Sequence, residues 1–126
     1  MIILDTQNKT FQISLIHEEN RNEIPWTCCY KNFTPGKQGS EIYITITGLS
    51  NGTSNVIVIP GPKPGTVNEL IIFSIVNNDN GRNVVSINIY DGSIYTPILY
   101  SVLRPGRTLF YPRDRSFLLY STSGVS

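Results

Sequence analysis

The residues that could do chemistry are few and scattered. His17 is the only histidine, and it stands beside Glu18 and Glu19, upstream of the adjacent Cys28 and Cys29. A cysteine or serine hydrolase needs an imidazole close to a nucleophile and oriented by a carboxylate. Nothing in the order of residues forbids His17 from meeting Cys28. His17 opens a polar run, residues 17–23, that lacks the apolar spacing of an amphipathic helix. A solvated loop histidine is therefore the plainer reading.

The two cysteines would point to opposite faces of a strand, so a bond between them would be badly strained. They also fall short of a four-ligand zinc set, and read as small buried or half-buried fillers. Nine carboxylates are available, and a glycosidase needs two of them facing each other. Asp79, Asp91 and Asp114, however, fall where turns need them. Residues 77–81, Asn-Asn-Asp-Asn-Gly, carry one carboxylate and no downstream Glu at calcium-loop spacing. Gly61 and Gly65 alternate with prolines and lead into a strand, so they form no phosphate loop. The reading is a protein that is not an enzyme and needs no cofactor or metal.

Two groups rise above this background as candidate interface residues. Arg104, Arg107, Arg113 and Arg115 lie within twelve residues, opposed only by Asp114. Placed on turns, they could form a basic patch for an acidic partner surface. The seven tyrosines and Trp26 could supply aromatic surface for an interface or a sugar platform, with Trp26, Tyr43 and Tyr95 the candidates.

The elements that must position these groups are strands. Residues 69–76, 83–90, 94–103, 108–111 and 116–120 are apolar or alternating runs divided by Gly, Pro, Asn and Asp. Asp-Gly and Asn-Gly favour the positive φ that tight hairpins need. Each run is expected to pair antiparallel with the next, as a C-terminal meander. In 83–90, Val85, Ile87 and Ile89 share one face and Val84, Ser86, Asn88 and Tyr90 the other. Upstream, Phe11, Ile13 and Leu15 alternate with Gln12, Ser14 and Ile16, and Ile42, Ile44 and Ile46 alternate with Tyr43, Thr45 and Thr47. Residues 24–30 and 55–59 add strands, and about 1–8 form a short strand or arm. Nine or ten strands without a convincing helix predict an all-β antiparallel sandwich, jelly-roll-like, in a single domain over 1–126.

A chain of 126 residues has room for one ordinary core. Its charged share of 15% is low against the roughly 25% of soluble domains, which suits a subunit whose surface is partly covered by neighbours. A net charge of +1 offers, taken over the whole chain, no electrostatic case for nucleic acid, an acidic partner or an anionic membrane. No apolar run approaches a membrane span, and no signal stretch opens the chain.

One resemblance spans nearly the whole chain. Ile3, Leu4, Asp5, Thr6, Lys9, Phe11, Ile13 and Leu15, with Ile24, Pro25, Trp26 and Tyr30 downstream, resemble a family of small structural proteins of tailed bacteriophages. The pattern continues through Asn51, Gly52 and Thr53, residues 56–60, 71–78 and 87–92. It ends in Leu103, Pro105, Gly106, Thr108, Leu109 and Tyr111. The chain departs from it where relatives carry a Gly-x-Trp-x-x-Leu run, since residues 115–119 read Arg-Ser-Phe-Leu-Leu. The resemblance implies a virion component that works in assembly and leaves its place on the capsid, neck or tail open. The first expectation is a capsid decoration or head-associated subunit, assembled in the host bacterial cytoplasm and partnering itself and other virion proteins such as major capsid, neck or tail subunits. A tail- or fibre-associated module for a glycan receptor is the alternative.

Overall fold

In the computed structural model, residues 1–18, 23–112, 116–121 and 124–125 are described, and they form eleven strands and no helix. The strands are β1 (Ile3–Leu4), β2 (Thr10–Glu18), β3 (Pro25–Phe33), β4 (Ile42–Leu49), β5 (Val56–Ile59) and β6 (Val67–Val76). They continue as β7 (Asn83–Tyr90), β8 (Tyr95–Leu103), β9 (Thr108–Tyr111), β10 (Leu118–Ser121) and β11 (Gly124–Val125). Two antiparallel sheets result. One runs β11-β10-β9-β6-β3-β4, with β1 added to β6, and the other runs β5-β2-β7-β8.

The order of pairing has a simple logic. Hairpin β3–β4 lies in the larger sheet, while its flanking strands β2 and β5 pair with each other in the smaller. The second half inverts this: hairpin β7–β8 lies in the smaller sheet, and its flanking strands β6 and β9 pair in the larger. The halves are joined through β3·β6 in one sheet and β2·β7 in the other. Two folded double hairpins wrapped into a sandwich in this way make a jelly-roll-like arrangement.

The expected meander is therefore corrected. β7 pairs with β8, and β9 with β10, as foreseen. β6 does not pair with β7, nor β8 with β9, because each of those connections crosses between sheets. The physical difference lies in the turns. Between β7 and β8 the Asp91 carboxylate accepts the N–H groups of Ser93 and Ile94, at 2.9 and 2.8 Å, and Gly92 takes φ 99°. That closes a tight hairpin, and the same two N–H groups hold the Asp91 carboxyl below its ordinary range. The β6–β7 connection, residues 77–82, is longer, and the β8–β9 connection, residues 104–107, is of the same length but is bonded to Asn77 rather than closed on itself alone, as described below.

Alternation decides what each strand buries. Phe11, Ile13 and Leu15 of β2, Val85 and Ile87 of β7, and Phe73 and Ile75 of β6 are fully buried between the sheets. Phe11 and Phe73 meet edge to face, with ring centroids 5.5 Å apart, a geometry worth about 0.5–1.5 kcal/mol beyond area burial. Cys28 belongs to this core, and burial pushes its thiol up to about 12. Cys29 faces outward, half-buried, so the pair does split across the strand. Ile44 and Ile46 are only partly buried and Ile42 is exposed, because β4 is an edge strand that β5 does not reach over.

The end where β3 finishes and β6 begins is closed by Asn68. Its amide donates to the Pro60 carbonyl at 2.9 Å and accepts from Asn32 at 2.7 Å, and Asn32 also donates to Thr66. β1 is bound here too: it pairs with Asn68 and Glu69, and Leu4 is fully buried.

Candidate functional site

At the opposite end of the sandwich the two cross-sheet connections are bound to one another through a single residue. Asn77 follows β6 directly and is 0% exposed. Its Nδ2 donates to the Gly81 carbonyl at 2.9 Å and to the Leu103 carbonyl at 2.7 Å. Its Oδ1 accepts the Asp79 N–H and the Asn83 amide, at 3.1 and 3.0 Å. Its own N–H donates to the Arg107 carbonyl, and its carbonyl accepts from Gly106, at 2.9 and 2.8 Å. Every polar group of Asn77 is thus engaged, and segment 77–83 is fastened to segment 103–107. A buried amide satisfied on all sides holds its partners rigidly, because releasing any of them would strand a polar group away from water.

This fastening brings arginines together. Residues 104–107, Arg-Pro-Gly-Arg, form a turn in which the Arg107 N–H donates to the Arg104 carbonyl at 3.0 Å and Gly106 takes φ 81°. A left-handed backbone of this kind suits glycine. Arg104 is exposed and Arg107 half-buried, and both line a groove of about 320 Å³ together with Arg82, Val102 and Leu119. Among its described lining residues are three guanidinium groups, two aliphatic side chains and no carboxylate. Guanidinium is planar and permanently charged, and its N–H fork matches a carboxylate or phosphate in paired hydrogen bonds. Arg104 and Arg107 can in this way receive an anion carried on a partly apolar body.

The expected basic patch is present in this form. Arg104 and Arg107 share the groove, while Arg113 and Arg115 lie outside the described residues. Arg82 was not foreseen. It sits more than twenty residues upstream, and the β7–β8 ladder, which pairs Asn83 with Leu103, sets it beside Arg104, while the Asn77 bonds hold the Arg107 end of the turn in place. The signal in the sequence was the polar run around Asn77, which serves as a turn and as a clasp.

The aromatic candidates are separated. Trp26 is corrected: it is 5% exposed and belongs to the core, so it offers no interface. It packs across β4 at Gly48, where an added Cβ would stand 2.5 Å from the indole Cζ2. Glycine opposite Trp26 in the β3–β4 ladder is what lets the ring turn inward. Tyr43 is exposed on the outer face of the larger sheet, opposite Lys31, whose amine pairs with Glu69 at 3.3 Å. Tyr95 is exposed on the outer face of the smaller sheet, stacked on Tyr90 with ring centroids 4.3 Å apart. Tyr43 and Tyr95 cannot belong to one site.

Tyr95 does belong to a larger feature. β8 is an edge strand of its sheet, and Ile98, Tyr100 and Val102 are exposed along it, Tyr100 at 60%. Val102 is also a wall of the arginine groove. An apolar, tyrosine-bearing edge thus runs into the cationic groove. The His17 side chain lies outside the described residues. Among the described residues no three His, Cys, Asp or Glu side chains come together as a metal site.

No protein-family model, curated protein or solved structure matches this chain.

Proposed function

We propose that this chain is a non-enzymatic structural protein of a tailed-bacteriophage particle, a capsid decoration or head-associated subunit that works through protein–protein contacts. The observation that carries the reading is the exposed edge of β8, with Tyr95, Ile98, Tyr100 and Val102 in one strand. Long apolar edges left open invite further strands, and proteins that remain monomeric blunt them. Here Pro97 and a register shift blunt only the first half of β8, and the other half leads into a rigid cationic groove, which suits a docking surface with a preferred direction. The low share of charged residues and the resemblance along the chain point the same way. Docking would join copies of this chain to one another and to other virion proteins.

Mass spectrometry of purified particles tests this directly. The chain should be present in stoichiometric amount relative to a capsid or tail protein. Absence, or trace amounts only, would reject the reading.

A second reading has its own observation. On the outer face of the smaller sheet, Gln12, Ser86 and Asn88 are buried polar residues beside Tyr90 and Tyr95. Aromatic rings beside amides are the components of a sugar platform, and would suit a glycan-binding module on a tail or fibre. A glycan array with the purified chain decides it, since a platform of this kind would retain at least one sugar class and lose it in Tyr95→Ala.

A further inference from the structure

The groove and the edge of β8 are continuous, and together they specify a shape. The straight part of β8 lies next to the groove: residues 99–103 pair in register with β7, whereas the register shifts between Ile87 and Asn88, opposite Pro97 and Leu99. Pro97 also has no N–H to offer. A strand added to β8 would therefore seat on the half that leads to Arg104. In an added strand, alternate side chains point the same way roughly 7 Å apart. Two such side chains bearing carboxylates could reach the guanidinium groups of the groove, their methylene stems lying against Val102, while the intervening residues point to the other face of the added strand.

We propose that Arg104 and Arg107, in the groove they line, dock an extended, carboxylate-bearing segment of a partner protein, laid as an extra strand on the edge of β8 that no described strand occupies. Main-chain hydrogen bonds to the edge supply affinity, and the arginines choose the segment and its direction. A nucleic-acid strand fits less well. No aromatic side chain is among the described lining residues for bases to stack on, and the chain as a whole carries a net charge of only +1. The proposal relies on the particle-subunit reading only for taking the partner to be a protein of the same assembly.

The test uses the full chain, labelled with nitrogen-15, and a short peptide alternating Glu and Val. The peptide should shift the backbone amides of Tyr100, Val102, Arg104 and Arg107, and the same peptide with Lys for Glu should not. In Arg104→Glu/Arg107→Glu, affinity should fall roughly tenfold or more with the melting temperature unchanged. Arg104→Lys should fall part of the way, since it keeps the charge and loses the fork. Shifts confined to another face, equal binding by the charge-reversed variant, or no binding at all would overturn the proposal. So would shifts reproduced in full by inorganic phosphate or by a short oligothymidylate, which would make this a simple anion site or a nucleic-acid site. Incorporation into particles separates the two readings. If wild type and the charge-reversed variant are incorporated equally, docking through this groove fails and the subunit reading stands. If neither is found in particles, the subunit reading fails while the peptide measurement still decides the groove.

Discussion

Two asparagine networks close the two ends of this sandwich, and they do different work. Asn68, with Asn32 and Thr66, fastens the loop before β6 to its neighbour in the same sheet. Asn77 reaches into both sheets: it holds the Leu103 carbonyl at the end of β8 and the Arg107 carbonyl just before β9. The same residue type therefore closes a loop at one end and sets the spacing between sheets at the other. The second arrangement, together with the β7–β8 ladder, gathers Arg82, Arg104 and Arg107 into one groove. A buried amide becomes a positioning device when its partners belong to elements that would otherwise be independent.

The comparison breaks most easily at Asn77. Asn77→Ala would strand the Gly81 and Leu103 carbonyls, the Asp79 N–H and the Asn83 amide. We expect a loss of roughly 3–4 kcal/mol in urea denaturation, since each buried group left without a partner costs about 1–3 kcal/mol and some will find water. A loss below about 1 kcal/mol would show that the two connections do not need their clasp. Asn68→Ala should be milder, about 1–2 kcal/mol, because its partners are only partly buried and lie near one another. Equal effects at the two positions would erase the distinction drawn between the ends.

Cys28 sits in the core between the two networks and sharpens the comparison through pH. Its thiol is raised from 9.0 to about 12 in the folded chain, by burial first and by neighbouring Cys29 second. The folded state therefore favours the protonated thiol. This contribution is fully present below pH 9 and is lost as pH rises from 9 toward 12, while the unfolded thiol ionises. At pH 10 the loss should be about 1 kcal/mol. Cys28→Ala should remove that component of the pH dependence, and wild type, Asn77→Ala and Asn68→Ala should share it. The smallest effect is expected at the groove: Arg104→Glu/Arg107→Glu should change stability by no more than about 0.5 kcal/mol, because the clasp uses the Arg107 carbonyl and not its side chain.

Much of the scaffold was legible in the residues. The alternation in β2, β4 and β7 marked the strands and their inward faces, and Asp91-Gly92 marked a hairpin that the structure contains. Cys28 and Cys29 divide between core and surface as adjacency in a strand requires. Trp26 was misread because an aromatic residue beside Pro25 and Thr27 gives no sign of direction. Its placement depends on Gly48 across the ladder, twenty-two positions away. The meander was misread for a related reason. A turn signal says that the chain bends, and does not say whether the following strand rejoins the same sheet or crosses to the other.

The sequence by itself determined that the chain forms strands, where they break and which side of most of them faces the core, because those properties follow from side-chain alternation and local turn chemistry. Tertiary structure alone decided that Arg107 is held beside Arg82 and Arg104, that no described strand covers the outer edge of β8, and that Tyr43 and Tyr95 face opposite ways. Those outcomes are set by the pairing of strands distant in sequence and by one buried amide that joins two loops. No local pattern encodes them, since the groups that meet do so only after the two sheets have closed on one another.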